Sequence, residues 1–265
     1  MKVWAIANQK GGVGKTTTAI TLAGLLTDEG HGVLLIDLDP HGSATSYLGF
    51  DPETVQNSVY TLFKQTADGV QPNVAAAVQP TRIERLHLLA ASTALATLDR
   101  QLGSREGMGL VVGRALKRLE GKFDHVFIDC PPVLGVLMIN ALAASDFLLI
   151  PTQTEYLALK GLDRMLRTLE MVRRSRPQPL PYLIVPAFFD RRTRASIDTL
   201  RVLRERYSEH LWGGVIPIDT QFREASQAGV PLSSMSAHTR GLDAYRQLLG
   251  DLNDDVHQVG KAAAL

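Results

Sequence analysis

Residues 10–17 read Lys-Gly-Gly-Val-Gly-Lys-Thr-Thr, between an apolar run at 3–7 and an amphipathic stretch at 16–29 that carries Ile20, Leu22, Ala23, Leu25 and Leu26 at helical spacing. Few other features limit a fold so strongly. Glycines 11, 12 and 14 let the backbone turn its N–H groups inward, and the helix that follows adds its positive end, so the turn between strand and helix becomes a cradle for phosphate. Gly11, Gly12, Val13, Gly14, Lys15, Thr16 and Thr17 are the residues expected to line it. Lys15 is placed to reach the β and γ phosphates and the Thr16 hydroxyl to bind Mg²⁺. The general pattern G-x-x-x-x-G-K-[ST] would put its first glycine at Gln9, and here Lys10 follows that departure.

Further apolar runs at 33–36 and 126–128 each end at an aspartate, as buried parallel strands do when they deliver a carboxylate to the sheet edge. More strands are expected at 86–89, 147–150, 182–185 and 215–216, and helices at 108–119, 134–143, 156–173, 196–207 and 238–252. This alternation predicts a doubly wound, mostly parallel α/β sheet flanked by helices. The stretch 51–80 is the least legible, with one helix expected near 59–65. Residues 1–252 are read as one domain and 253–265 as a flexible tail that loses periodicity.

With 265 residues and 45% apolar content the chain can bury the core such a sheet needs. Its net charge of +1 excludes a globally basic nucleic-acid binder and leaves only local patches, and its single cysteine, Cys130, excludes a disulfide framework within one chain. No apolar run is long enough for a signal peptide or a membrane span, so a cytoplasmic location is expected.

Two carboxylate motifs follow the strands. Asp37-Leu38-Asp39-Pro40-His41-Gly42 comes after the second apolar run, and strand alternation predicts that Asp37 and Asp39 share one side at the carboxyl edge of the sheet. Asp129, at the end of His125-Val126-Phe127-Ile128-Asp129, fits a Walker B aspartate holding Mg²⁺ through water. Taken singly, either is also an ordinary turn or cap after a strand.

The loop K-G-G-x-G-K-T, the D-x-D-P element and the strand ending at Asp129 together resemble the ParA/MinD family of deviant Walker A P-loop ATPases, along nearly the whole chain. The resemblance implies an ATPase using ATP and Mg²⁺, with Lys10, Lys15 and Asp39 as catalytic residues. In the family the lysine matching Lys10 crosses a dimer interface to the partner's nucleotide, so a homodimer in the ATP state is implied. Asp39 would orient the attacking water, and Thr16, Asp37 and Asp129 would form the metal site. His41 stands where the family commonly has Gln, and either titrates there or is a plain surface residue. Asp190, in Phe189-Asp190-Arg191-Arg192-Thr193, and Pro217 and Asp219, in Ile216-Pro217-Ile218-Asp219, match the segments that cradle the adenine base. Pro151-Thr152-Gln153-Thr154-Glu155 resembles the loop after the next strand.

A membrane-cycling member would need a basic amphipathic C-terminal helix, and the ending DDVHQVGKAAAL is not one; an iron protein would need two cysteines per subunit. No helix-turn-helix is expected before the run at 3–7. What remains is a positioning or partitioning ATPase stimulated by a partner's short basic segment. Non-specific DNA contact through Arg164, Arg167, Arg173, Arg174 and Arg176, or Arg191, Arg192, Arg194, Arg201, Arg204 and Arg206, is the second expectation. Against it, the family's I-P-R-N-V-R-L reads Ile216-Pro217-Ile218-Asp219-Thr220-Gln221-Phe222 here, without its two arginines. Residues 1–26 and the His41 variant look most like members that place chemotaxis arrays at the cell pole; chromosome or plasmid segregation at the nucleoid is the alternative. A nucleotide-binding scaffold and an ATP-dependent ligase are the more remote readings.

Overall fold

Strand β1 (Lys2–Ile6) leads through the glycine loop into α1 (Lys15–Asp28) and back into β2 (Val33–Asp37). The computed structural model of the protein describes residues 1–262 except 103, 104, 106, 175, 177, 236 and 237, and their side chains except at 99, 100 and 254–262. After β2 come α2 (Ser43–Tyr47), α3 (Val59–Ala67), α4 (Val74–Ala77), β3 (Val78–Pro80), β4 (Leu86–Leu89), α5 (Leu98–Leu102) and α6 (Val111–Arg118). The second half runs β5 (His125–Asp129), α7 (Val136–Ala144), β6 (Phe147–Gln153), α8 (Tyr156–Arg173), β7 (Tyr182–Ala187), α9 (Arg194–Tyr207), α10 (Gln221–Ala228), α11 (Leu232–Met235) and α12 (Arg240–Ala262).

The seven strands lie in the order β3-β4-β2-β5-β1-β6-β7, all parallel except β3. Period-two alternation splits their side chains between two cores. Trp4, Ile6, Val33 and Leu35 pack on the face covered by α1 and α12, while Val3, Ala5, Leu34 and Ile36 pack on the face covered by α3, α6, α7 and α8. Both faces being covered, the central strands read as unbroken apolar runs, and each large side chain so buried contributes about 1.5–3 kcal/mol.

Two edges differ from expectation. The strand expected at 215–216 does not form; the Ile216 N–H donates to Pro186 O at 2.8 Å and the contact ends in a one-residue bridge between Phe189 and Pro217. Pro186 and Pro217 have no N–H, so the ladder cannot extend. At the other edge β3 pairs antiparallel with β4 for three residues and stops at Pro80 for the same reason. Residues 221–228 form a helix that periodicity did not mark out. The stretch expected as a tail from Asn253 enters α12, whose backbone is helical through Ala262, and residues 263–265 lie outside the described residues.

The topology places the chemistry. From β1 the chain passes outward to β2, returns to fill the gap with β5, then continues with β6 on the opposite side of β1. Ligand sites in open α/β sheets lie at such a reversal, beyond the carboxyl ends of the strands. Here it brings the ends of β1, β2 and β5 side by side, with Asp37 in register with Asp129 and Ile6 with Asp129.

Candidate active site

The glycine loop is anchored by Val13, which is fully buried, and closed by Gly14, the N-cap of α1, at φ 88°. A Cβ on Gly14 would stand 3.1 Å from Phe188 Cε2, so glycine is required both by conformation and by space. Phe188 itself has φ 54°, which is strained for an aromatic residue and is held by the bonds around it: Phe189 N–H to Ile216 O at 3.0 Å and Thr154 N–H to Ala187 O at 3.0 Å. The Lys15 side chain is buried and its Nζ donates to Lys10 O at 3.3 Å, lying across the loop.

Behind the loop sit two fully buried carboxylates. Thr16 Oγ1 donates to Asp129 Oδ2 at 2.6 Å, while Asp129 Oδ1 is buried without a hydrogen-bond partner. Asp37 Oδ2 accepts from the Thr45 N–H and Oγ1, both at 2.8 Å, and Asp37 Oδ1 accepts from the Asp39 N–H at 3.1 Å. Burial raises the pKa of Asp37 despite its Thr45 bonds; burial and the neighbouring Asp37 charge raise that of Asp129. Two desolvated carboxylates side by side, one with an orphaned oxygen next to a threonine hydroxyl, fit a hard divalent cation, which would reverse both shifts. Among the described residues no group of three or more His, Cys, Asp or Glu is gathered, so a cation here takes its remaining ligands from water and phosphate, as Mg²⁺ does.

Asp39 lies one turn beyond β2. Its placement comes from the turn, since its N–H is bonded to Asp37, and not from strand alternation. Its carboxylate meets His41 through Oδ1, at 3.0 Å from the main-chain N–H and 2.8 Å from Nδ1.

Lys10 is held at the exposed rim of the loop. Its Nζ donates to Gln153 Oε1 at 2.8 Å and forms an ion pair with Glu155, and Gln153 Nε2 donates back to Gly12 O at 2.9 Å. Helix α8 approaches this loop through Gly161, where a Cβ would come within 3.0 Å of Lys10 Cβ and 3.3 Å of Asn8 Oδ1.

On the base side, Phe189, Asp190, Arg191, Arg192, Pro217, Ile218 and Arg240 line a recess of about 530 Å³. Asp190 is clamped by Arg192 through Nε and Nη2, both at 2.9 Å, which holds its carboxyl down to about 2. Asp219 is not part of that lining. Burial favours its neutral form, but the N–H groups of Gly241 and Gln221 outweigh this and keep it below the usual carboxylate range, so it ties α10 to the start of α12. Of the arginines, Arg176 binds Leu142 O and, at 3.1 Å, Ser145 O, capping α7, while Arg201 and Arg194 pair with Asp198 and Arg173 with Glu170. Arg164, Arg167, Arg174, Arg191, Arg204 and Arg206 are exposed.

Three residues close to the chemistry were not legible beforehand. Thr45 was hidden in a polar stretch without period, and Phe188 has an unremarkable sequence context; Gly161 had a signal, as a glycine interrupting a long helical pattern.

Residues 1–180 match a family model described as an AAA domain. The chain is 36% identical to the sporulation initiation inhibitor protein Soj of Bacillus subtilis over 248 residues, 93% of this chain and 96% of that protein. It is also 36% identical to the chromosome partitioning protein ParA of Caulobacter vibrioides over 251 residues, 94% of this chain and 92% of that one. Among solved structures, cobyrinic acid a,c-diamide synthase of Mycobacterium smegmatis with a bound ATP analog and magnesium aligns with a TM-score of 0.81 at 36% identity, covering 95% of this chain and 94% of its own. Apo McdA of Cyanothece aligns at 0.82 and 25% identity, covering 94% and 99%.

Proposed function

The chain belongs to the ParA/MinD family of P-loop ATPases, and on that premise we propose that it is a switch which dimerises around ATP and Mg²⁺ and positions or segregates an intracellular cargo. One observation carries the dimer: Lys15 lies across its own loop, whereas Lys10 stands at the rim, held by Gln153 and by an ion pair with Glu155 that a second subunit's phosphates would replace. The segments on either side of that loop end in exposed apolar side chains, Val133 and Leu134 after β5 and Tyr156 and Leu157 at the start of α8, which suits a face that is covered in use.

In this reading the N–H groups of residues 11–17 and the Lys15 ammonium bind the phosphates. Thr16, Asp37 and Asp129 hold the cation, which neutralises charge on the β and γ phosphate oxygens. Asp39 orients the attacking water. Lys10 adds positive charge from the other subunit where the transition state spreads negative charge, the part an arginine finger plays elsewhere. The recess at Phe189, Asp190 and Pro217 receives the base, with Asp219 shaping it from behind through Gly241.

For the cargo, the name of the Caulobacter relative favours a partitioning role, with a partner's basic segment stimulating hydrolysis and the exposed arginines of α8 and α9 as the DNA-facing candidates. Placement of chemotaxis arrays at the cell pole rests on residues 1–26 and the His41 variant alone. The name of the Mycobacterium structure supports a second reading, an ATP-dependent ligase.

Sedimentation of wild type, Lys10→Ala and Asp39→Ala with ADP or ATP and Mg²⁺ tests the proposal. ATP should dimerise wild type, Asp39→Ala should hold the dimer longer, and Lys10→Ala should stay monomeric. Identical behaviour of all three in both nucleotides, or turnover that requires a small carboxylic acid, would overturn the switch; the second result would favour the ligase.

A further inference from the structure

The pair formed by Asp39 and His41 is not explained by the phosphate and metal chemistry. After β2 the chain turns tightly, with Gly42 N–H donating to Asp39 O at 2.8 Å, and the turn brings His41 back over the carboxylate of Asp39. Two donors converge on Asp39 Oδ1, the His41 main-chain N–H at 3.0 Å and Nδ1 at 2.8 Å. A carboxylate oxygen only accepts, so Nδ1 carries the hydrogen. No other donor reaches this carboxylate among the described residues, and Oδ2 remains free to accept. The Asp39 side chain is 13% exposed and the His41 ring 81%, so the imidazole lies over the acid and is itself held by little else.

We propose that His41 is a positioning residue for hydrolysis: by donating from Nδ1 to Oδ1 it holds the Asp39 side chain in one rotamer, leaving Oδ2 to take the hydrogen bond of the attacking water. The inference rests on the proposed role of Asp39. The turn does not need the imidazole, because the main-chain bond to Oδ1 already closes it and survives any substitution at position 41 except proline. What the ring adds is a second, directional donor, and orientation of a water-holding group is where small displacements cost rate. The family's usual glutamine does not supply this bond, since its amide nitrogen corresponds to Nε2 of imidazole. Asparagine places an amide nitrogen where Nδ1 stands.

The test measures ATP hydrolysis by the full chain as wild type, His41→Ala, His41→Asn, His41→Gln and Asp39→Ala, with thermal melting of each. With Asp39→Ala inactive, His41→Ala is expected to lower kcat about tenfold and to leave KM for ATP within about twofold, because His41 lies outside the phosphate loop and outside the lining of the base-side recess. His41→Asn should recover most of the rate, and His41→Gln should behave like His41→Ala, with all melting points unchanged. Wild-type kcat in His41→Ala, equal loss in the Ala and Asn variants, or a fall in kcat matched by a rise in KM would each overturn the proposal. Full activity in Asp39→Ala would instead remove the reading on which it stands, and the inference with it.

Discussion

Lys10 meets Gln153 and Glu155 within its own chain, so reaching a partner's phosphates requires it to leave an ion pair first. The pair lies at the surface, where such contacts contribute about 0–1 kcal/mol, enough to bias an equilibrium without blocking it. Glu155→Gln is therefore expected to lower the ATP concentration needed for half-maximal dimer formation by about two- to fivefold, read by light scattering; an unchanged or higher concentration would show that the pair does not restrain Lys10. At the opposite end of the sheet, His125 is half-buried against Trp4, whose Nε1–H donates to its Nδ1 at 3.4 Å. Burial, with the adjacent His31 charge, lowers its pKa to about 4 despite Asp124 nearby. A base whose pKa is depressed on folding binds fewer protons folded than unfolded, so its stabilising effect is complete above about pH 6.5, the unfolded value, and is lost as pH falls toward 4. His125→Gln should flatten the urea-unfolding free energy across that window relative to wild type; parallel curves would contradict the assignment.

At the scale of elements, helix α8 illustrates how a local rule is reversed by packing. Replacing glycine by alanine inside a helix usually stabilises by about 0.5–1 kcal/mol. Gly250 in α12 has open space around its Cβ position, and Gly250→Ala should give that gain. Gly161→Ala should not, because its methyl group would press on Lys10 Cβ and Asn8 Oδ1 and push α8 off the phosphate loop. Denaturant unfolding compares the two stabilities, and nucleotide titration should show weakened ATP binding only in Gly161→Ala. The elements themselves were legible to different degrees. β1, α1, β2 and β5 were plain, because apolar runs bounded by a glycine or an aspartate carry their own period. β3, α2 and α10 were not: each is short, and two depend on a neighbour, β3 on the free edge of β4 and α10 on the Asp219 carboxylate that accepts the Gln221 N–H.

For the whole molecule, the proposed metal site would link ligand binding to stability through the buried carboxylates Asp37 and Asp129. Saturation to about 100 times Kd with Mg²⁺ and ATP adds about 2.7 kcal/mol, which for a chain of this size should raise Tm by about 5–10 °C. If Asp37 and Asp129 hold the cation as proposed, EDTA should abolish most of that gain by removing the charge that offsets their burial; a full ATP shift without Mg²⁺ would argue against their role. The sequence alone determined the glycine loop and the alternation of the central strands β1, β2 and β5 with helices, because glycines, a short turn into a helix and the periods of 2 and 3.6 are local properties. Only the tertiary structure decided who meets whom. Asp37 stands beside Asp129 because β5 is inserted between β1 and β2, and Lys10 finds partners 143 and 145 residues away because β6 lies on the other side of β1. Asp219, matched by its motif to the base side, accepts from the backbone N–H groups of Gln221 and Gly241, the second of them 22 residues away. Such meetings depend on strand register and on burial, which no short stretch of chain encodes by itself.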